Sequence, residues 1–263
     1  MRDYKIMRHY KFSGYDLKFI AVITMLIDHL GASLLWRYIE FSHAYSDDIL
    51  MNLYTLMRYV GRMAFPIYCF LLVEGFLHTK SVFKYALRLG AFALISEVPF
   101  DLALNQSLWA PYSNNVFFTL LIGLILIRGI SFVEVFYSFW KEKKLDAFIG
   151  TLAALAIAVL MVVPALFLAE VVLKSDYGMG GVLTILVMYL FRKYREIGYI
   201  LATIVLYIFA GSSQILGLFM LLPISLYDGS RGPESGKFSK YFYYAFYPAH
   251  LLAFGLICVG LGI

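Results

Sequence analysis

Long apolar stretches, separated by short polar segments, follow one another along almost the entire chain of 263 residues. A stretch of about twenty apolar residues can cross a bilayer as an α-helix, and shorter stretches are tolerated where they line a cavity. The pattern predicts an all-α, polytopic membrane helix bundle that forms one domain over residues 1–263 and has about nine transmembrane helices. The stretches lie near residues 17–36, 56–77, 82–104, 115–133, 147–173, 179–191, 197–210, 213–227 and 244–263.

Composition and charge agree with a membrane protein. The chain is 62% hydrophobic and 15% charged, which excludes an ordinary soluble protein. Lys and Arg collect on the cytoplasmic side of membrane proteins. With a cytoplasmic N-terminus, only four of the 22 basic residues lie outside or near the outer face: Arg37, Arg58, Arg62 and Lys174. We therefore expect a cytoplasmic N-terminus, an extracytoplasmic C-terminus and no nucleic-acid partner.

The first apolar stretch carries three ionisable residues, Lys18, Asp28 and His29. Such groups cost roughly 2.5–3.5 kcal/mol each inside a membrane span, so they rarely persist without a role. A separation of eleven residues places Lys18 and His29 on nearly the same helix face and roughly 16 Å apart along the helix axis. The three residues predict a polar track that leads into the membrane.

The polar residues of the spans fall into two predicted layers. The cytoplasmic layer contains Lys18, Glu74, His78 and His250, and the outer layer contains Asp28, His29, Arg62, Glu97, Asp101, Asn114 and Asn115. Structural salt bridges, such as one between Arg62 and Glu97, explain most of these residues as well as a functional role does. His29 is the exception, because imidazole is the side chain best suited to accept and return a proton near neutral pH.

The sequence leaves open which residue orients His29. Adjacent helical residues point about 100° apart, so Asp28 is poorly placed to orient its own neighbour. An acid from another helix, such as Glu97, can orient His29 instead, while Asp28 pairs with Arg62 or faces the acceptor. No zinc-ligand cluster, serine-nucleophile motif or Gly-rich phosphate loop occurs, so we expect no metal.

Several motifs resemble the TraX family of membrane proteins from conjugal transfer and fimbrial gene clusters. The matching stretches are LKFIAVITMLIDHLGA, GRMAFPIYCFLLVEGFLHT, ISEVPFDLAL, NNVFFTLLIG, SDYGMGGVL and YDGSRGPESGKFSKYFYYAFYPAHLL, in order over nearly the whole chain. One member type acetylates the amino terminus of a pilin subunit. The resemblance implies a location in the bacterial inner membrane, and an acceptor such as the amino terminus of a pilin or surface protein, a glycan or a lipid-linked polymer.

The chain is also distantly similar to acyltransferase-3 and heparan-glucosaminide N-acetyltransferase membrane enzymes. Those families carry a first-helix histidine preceded, after ten intervening residues, by a polar partner, and they end with a tyrosine-x-x-histidine helix. His29, Lys18 and the pair Tyr247 and His250 look like these features. Lys18 stands where the acyltransferase-3 group has arginine, so its contact with the donor is that of a point charge.

The resemblance implies an acetyltransferase that uses acetyl-CoA and transfers the acetyl group to an amine or hydroxyl acceptor from the outer side. We assign three groups of residues: catalytic His29, Asp28 and Glu97; donor-binding Lys18, Glu74, His78, His250, Tyr247 and Arg231; acceptor-binding Arg62, Asp101, Asn114 and Asn115. Two alternatives remain at this level. One is a secondary transporter or export component with a midplane proton relay, and the other is a non-catalytic assembly protein for surface appendages.

Overall fold

The computed structural model describes residues 11–142, 147–232 and 237–263. In this part of the chain the only β-structure is two isolated bridges, and the rest of the regular structure is helical. We number the helices α1 Gly14–Ser42, α2 Asp48–Gly61, α3 Ala64–His78, α4 Val82–Leu104, α5 Val116–Glu142, α6 Ala147–Val172, α7 Gly178–Leu190, α8 Arg195–Ala210, α9 Ser212–Ser225 and α10 Lys237–Leu261.

Five segments are long and apolar enough to cross a membrane, namely α1, the pair α2–α3, α5, α6 and residues Tyr241–Leu261 of α10. α7 and α9 are shorter apolar helices, and α4 is interrupted by ionisable residues that include Arg88, Glu97 and Asp101. The all-α membrane character is thereby confirmed. The number of nine crossings and the sides on which the two ends lie stay predictions.

The first helix begins three residues before the predicted span, because a capping box fixes its start. The Ser13 N–H donates to the Asp16 carboxylate over 2.8 Å, and the Asp16 N–H donates back to the Ser13 hydroxyl over 3.3 Å. Two residues after His29 the helix widens into a π-helical turn, Gly31–Leu35, whose Ser33 hydroxyl donates to the His29 carbonyl over 2.6 Å. Such turns are frequent at functional sites.

The core lies where α1, α3, α5 and α7 meet, and it is closed by α4 packing against α10 and by α8 packing against α7. Leu17, Ile67, Leu124 and Ile185 are fully buried there. α6 differs from these helices, since only 6% of its most apolar 18-residue segment is buried. A long apolar helix with that much uncovered surface is suited to face lipid.

Two backbone contacts hold the ends of the bundle. At one end, Phe12 and Gly14 pair with the segment 226–230, and the Gly14 N–H donates to the Ser230 carbonyl over 2.8 Å. At the other end, the Asn114 N–H donates to the Lys174 carbonyl over 3.1 Å, and the Asp176 N–H donates to the Asn114 carbonyl over 2.8 Å. These contacts position the loops that border the cavity described below.

Candidate functional site

A cavity of about 500 Å³ runs through the bundle, and we call it the central cavity. It extends from Lys18 and Arg231 at one end to Asp28 and His29 at the other. The predicted site residues that line it are Lys18, Asp28, His29, Arg62, Glu74, His78, Arg231 and Tyr247. The polar track predicted along the first helix is therefore the wall of an internal space.

The end of the central cavity near Lys18, which we call the mouth, is basic but contains one carboxylate. Lys18 Nζ lies 5.6 Å from the centre of the Tyr243 ring, and Arg231 lines the same end. His78 is bound locally, since its Nδ1 donates to the Glu74 carbonyl over 2.8 Å. Two arginine or lysine side chains around an opening attract anionic groups.

Loop residues beside the mouth have pKa values that keep one carboxyl ionised and one phenol neutral. Hydrogen bonds from Ser230 hold the pKa of the Asp228 carboxyl below its usual range. Burial and the neighbouring Glu74 carboxylate raise the pKa of Tyr227 to about 12. Tyr227, which lines the cavity, therefore stays a hydrogen-bond donor at any physiological pH.

His29 forms a hydrogen-bonded pair with His250 of α10. The two rings are nearly parallel, and His29 Nδ1 lies 2.7 Å from His250 Nε2. His250 Nδ1 lies 2.6 Å from the Phe246 carbonyl oxygen, which only accepts hydrogen bonds. This nitrogen must therefore carry a proton, and in the neutral ring Nε2 is then an acceptor.

The pairing fixes the tautomer of His29. Because His250 Nε2 accepts, His29 Nδ1 carries the proton and donates to it. The lone pair of His29 then lies on Nε2, and the ring lines the central cavity. If Nε2 takes up a proton, the Nδ1 hydrogen bond to His250 is kept. The arrangement gives His29 the form of a general base.

Tyr247 completes the surroundings of the His29 ring. The two ring centres are 5.7 Å apart in an edge-to-face arrangement, and Tyr247 is only 4% exposed. Among the described residues its hydroxyl has no partner for its proton. A buried hydroxyl without an acceptor is costly, so this donor is available to a carbonyl group in the cavity.

Two arginines surround Asp28, namely Arg58 of α2 and Arg62, which directly follows that helix. Arg58 Nη1 donates to Asp28 Oδ2 over 2.8 Å, and Arg62 Nη2 lies 3.6 Å from Oδ1. Gly61 allows this approach, because a Cβ there would lie 2.1 Å from Asp28 Oδ1. Asp28 thus holds two guanidinium groups at the His29 end of the cavity, and all three side chains line it.

Residues 13–258 match the family described as TraX protein. The chain belongs to the TraX family. It is also similar to the probable fimbrial assembly protein FimC, serogroup H1, of Dichelobacter nodosus, which is 27% identical over 277 aligned positions that cover 95% of this chain and 96% of that protein. The family resemblance predicted from the motifs is confirmed. No solved structure matches the chain.

Glu97 and Asn115 were both predicted for the site of this TraX-family chain. They do not line the central cavity and are hydrogen-bonded to each other instead. The Asn115 N–H donates to Glu97 Oε1 over 2.9 Å, and the Asn115 side chain donates to the same carboxylate. Asn115 Oδ1 also accepts from the Phe117 N–H over 3.0 Å and so caps α5. Glu97 was one candidate for the acid that orients His29, but His29 Nδ1 lies beside His250 Nε2 instead.

Asp101 and Asn114 likewise make contacts in the loops beyond α4. Asp101 accepts from the Asn105 side chain over 2.9 Å and from the Ala110 N–H over 2.7 Å. The Asn114 side chain donates to the Leu173 carbonyl. Neither lines the central cavity in the part of the chain that the structure describes. Both residues hold the loops near the His29 end.

His250 lies at a different depth from the one predicted. The sequence placed it in the layer of Lys18, because its span was taken to begin near residue 244. α10 begins at Lys237, so His250 is thirteen residues, or about 20 Å, along the helix. That rise brings it to the level of His29.

Arg58, Asp176 and Tyr177 line the cavity and were not among the predicted site residues. Arg58 carried a signal, since it precedes Arg62 by four residues and therefore shares its helix face. Asp176 and Tyr177 lie in the stretch SDYGMGGVL, whose sequence indicates a turn between two spans. Only the tertiary structure shows that this turn reaches the cavity.

Proposed function

We propose that this TraX-family protein is an integral-membrane acetyltransferase that moves an acetyl group from cytoplasmic acetyl-CoA to an amine or hydroxyl acceptor from the outer side. The observation that carries the proposal is the pairing of His29 with His250 at the end of a cavity whose mouth is basic. Acyl transfer needs a base with a fixed tautomer and a donor that is held beside it. The His29 pair would supply the base, and the cavity would hold the anionic donor.

The donor would enter at the mouth. The phosphates of CoA would lie near Lys18 and Arg231, where positive charge favours them. Arg88 also lines the cavity, and its Nε has no hydrogen-bond partner among the described residues. The pantetheine arm would then extend toward His29, over a distance comparable to the roughly 16 Å between Lys18 and His29 along α1.

The transfer would proceed without any covalent protein intermediate. The neutral acceptor amine attacks the thioester carbonyl carbon, and His29 Nε2 takes one proton from the amine nitrogen. The carbon–nitrogen bond forms, the carbon–sulfur bond breaks, and the thiolate of CoA receives the proton from His29. The products are the acetylated acceptor and CoA as a free thiol, and His29 regains its starting tautomer.

The negative charge that develops on the carbonyl oxygen has donors close to His29. Arg58 and Arg62 line the same end of the cavity, and their guanidinium groups are held in place by Asp28. The Tyr247 hydroxyl is a further donor with no acceptor of its own. Donors that are already oriented stabilise a developing oxyanion without reorganisation.

The acceptor class is supported by the comparison. The relative from Dichelobacter nodosus is named a probable fimbrial assembly protein, and a fimbria is built from surface proteins with amino termini. We propose that the protein lies in a bacterial inner membrane and modifies a protein of this kind. A second candidate function, transport through the cavity, has no separate observation in its favour.

The test is the acetylation of an amine by purified protein in nanodiscs, with labelled acetyl-CoA as the donor. His29→Ala should lose transfer, because no base remains at the end of the cavity, while acetyl-CoA still binds. His43→Asn removes an exposed imidazole outside the cavity and should keep full activity. Unchanged transfer by His29→Ala, or no saturable binding of acetyl-CoA to the unaltered protein, would overturn the proposal.

A further inference from the structure

Arg88 of α4 is a basic side chain inside the bundle whose charge no carboxylate balances. It lines the central cavity and is partly buried. Among the described residues it forms no ion pair, and its buried Nε has no hydrogen-bond partner. An ionisable side chain within a membrane bundle is costly, so it usually pairs with another group or lines the path of a ligand. A ligand in the cavity would supply the missing partner.

Two tyrosines hold the guanidinium group of Arg88. The Arg88 Cζ lies 5.4 Å from the centre of the Tyr85 ring, and the Tyr244 hydroxyl of α10 lies beside both Arg88 and the Tyr85 hydroxyl. Tyr85 in turn packs on Gly75 of α3, where an added Cβ would lie 3.1 Å from the Tyr85 hydroxyl oxygen. All four residues line the central cavity. Together they place one guanidinium and two hydroxyl groups at the same stretch of it.

The depth of this group follows from α10. Tyr244 precedes His250 by six residues, which is about 9 Å along the helix axis. His250 is paired with His29, whereas Lys18 at the mouth lies roughly 16 Å from His29 along α1. Arg88, which lies beside Tyr244, is therefore in the middle of the cavity and not at either end.

The part of a CoA thioester that would reach this depth is the pantetheine arm, which carries two amide groups between the sulfur and the phosphates. The carbonyl of the farther amide is about eight bonds from the sulfur, or roughly 9 Å in an extended chain. A carbonyl oxygen accepts hydrogen bonds, and guanidinium and hydroxyl groups donate them. With the thioester beside His29 and the phosphates near Lys18, an amide carbonyl of the arm would therefore lie at Arg88.

We propose that Arg88, together with the hydroxyl groups of Tyr85 and Tyr244, is a subsite for the amide carbonyls of the pantetheine arm. This inference rests on the proposed acetyl transfer, since it concerns the donor of that reaction. It goes further by separating the recognition of the arm from the recognition of the nucleotide at the mouth. A pantetheine thioester that lacks the nucleotide is therefore also a donor.

The acetylation of an amine with two donors tests the subsite. Acetyl-CoA carries the nucleotide and the arm, whereas S-acetylpantetheine carries the arm alone. Arg88→Met should raise the KM about tenfold for both donors, because it removes one charge-assisted hydrogen bond to the arm. Lys18→Met should raise the KM for acetyl-CoA alone. Arg128→Met is the matched control, since it removes an exposed arginine of α5 that does not line the central cavity, and both KM values should stay unchanged.

The binding of pantetheine itself gives a readout that needs no transfer. Calorimetric titration of the unaltered protein in nanodiscs with pantetheine should show saturable binding, which Arg88→Met should weaken about tenfold. Tyr244→Phe keeps the ring and removes the hydroxyl group beside Arg88, and it should weaken the binding of pantetheine roughly fivefold. Two variants are used so that misfolding of one does not remove the test.

The outcomes separate the two proposals. An equal rise in the KM for both donors in Arg88→Met, together with weaker binding of pantetheine, supports the subsite. A rise for acetyl-CoA alone would assign Arg88 to the phosphates and overturn the subsite, even if acetyl transfer occurs. Absence of pantetheine binding, or binding that neither variant changes, overturns it as well. Binding of pantetheine that depends on Arg88, in a protein that acetylates no amine, supports the subsite and overturns the acetyltransferase.

Discussion

At the scale of single residues, the relation between His29 and His250 decides what the site can do. In the proposed reaction His250 would not touch the reacting atoms and would act through the ring of His29, as a positioning residue. Its Nε2 accepts from His29 Nδ1 over 2.7 Å, and its own Nδ1 donates to the Phe246 carbonyl over 2.6 Å. The backbone of α10 thereby selects the nitrogen on which His29 is basic.

Replacement of His250 should distinguish this role from simple packing. His250→Gln keeps an acceptor near the position of Nε2, and it should retain much more activity than His250→Leu. We expect His250→Leu to lower kcat about a hundredfold, since proton transfer by a well-placed base contributes roughly that much or more. The KM for acetyl-CoA should change little. The measurement is the rate of acetyl transfer by each variant in nanodiscs.

A different result would contradict the positioning role. Equal kcat for His250→Gln and His250→Leu would show that the acceptor at Nε2 is irrelevant. A rise in the KM for acetyl-CoA without a change in kcat would instead return His250 to the donor-binding role predicted from the sequence. Thermal unfolding of both variants checks that any loss of activity does not come from a loss of folded protein.

The sequence identified His29 because a histidine beside an aspartate is unusual inside an apolar helix. It could not identify the partner, because hydropathy gives the depth of a residue only to within the error of the span boundaries. His250 was placed one layer too shallow for this reason. Glu97 looked like an orienting acid, but its carboxylate accepts from Asn115 at the start of α5.

At the scale of elements, the close approach of α1 and α2 holds the charged cluster together. Asp28 projects from α1 against Gly61 of α2, and it contacts Arg58 and Arg62. Gly31 allows a second close approach, since a Cβ there would lie 2.9 Å from the Met57 Cβ. Small residues at the contact of two membrane helices permit the backbones to come near each other.

Gly61→Ala should therefore destabilise the protein and weaken activity. A Cβ at this position would lie 2.1 Å from Asp28 Oδ1, so that α1 and α2 must move apart or the carboxylate must turn away. We expect a loss of about 1–3 kcal/mol, which is typical of overpacking, measured as a lower unfolding temperature. The transfer rate should fall as well, because the arginines lose their fixed positions.

Gly260→Ala is the control for this change. Gly260 is also helical, and an added Cβ would meet no atom within 4 Å. Ala is about 1 kcal/mol more favourable than Gly inside a helix, so the unfolding temperature should stay the same or rise. A Gly61→Ala variant that behaves like Gly260→Ala would show that the approach of the two helices is looser than described.

At the scale of the whole molecule, the central cavity connects a basic mouth to His29 through the middle of the bundle. Its lining comes from α1, α2, α3, α4, α5 and α10 together with the loops at residues 176–177 and 227–231. No single helix forms the channel, and its two ends differ in character. The mouth has the positive charge that phosphate groups favour, whereas the far end holds His29 and the cluster of Asp28, Arg58 and Arg62.

This arrangement predicts that donor affinity depends on the mouth and not on the far end. Lys18→Met removes a charge at the mouth and should raise the dissociation constant of acetyl-CoA about tenfold, the effect of losing one charged contact. The affinity should also fall with added salt, because the contact is partly exposed. Calorimetric titration in nanodiscs measures both effects.

Lys84→Met gives the comparison for this prediction. Lys84 is exposed near the start of α4 and does not line the central cavity, so its removal lowers the net charge without touching the mouth. The dissociation constant should stay near that of the unaltered protein. If both variants weaken binding equally, the general charge of the protein attracts the donor and the mouth has no particular role.

The sequence by itself determined the membrane class, the helical architecture, the TraX family and the polar track of Lys18, Asp28 and His29. These depend on hydropathy, on periodicity and on residues close together in one helix, which are local properties of the chain. The tertiary structure alone decided that His250 orients His29, that Arg58 and Arg62 surround Asp28, and that Asp176 and Tyr177 reach the central cavity. His29 and His250 are 221 residues apart, and such contacts arise only when helices pack, because packing fixes which faces and which depths meet.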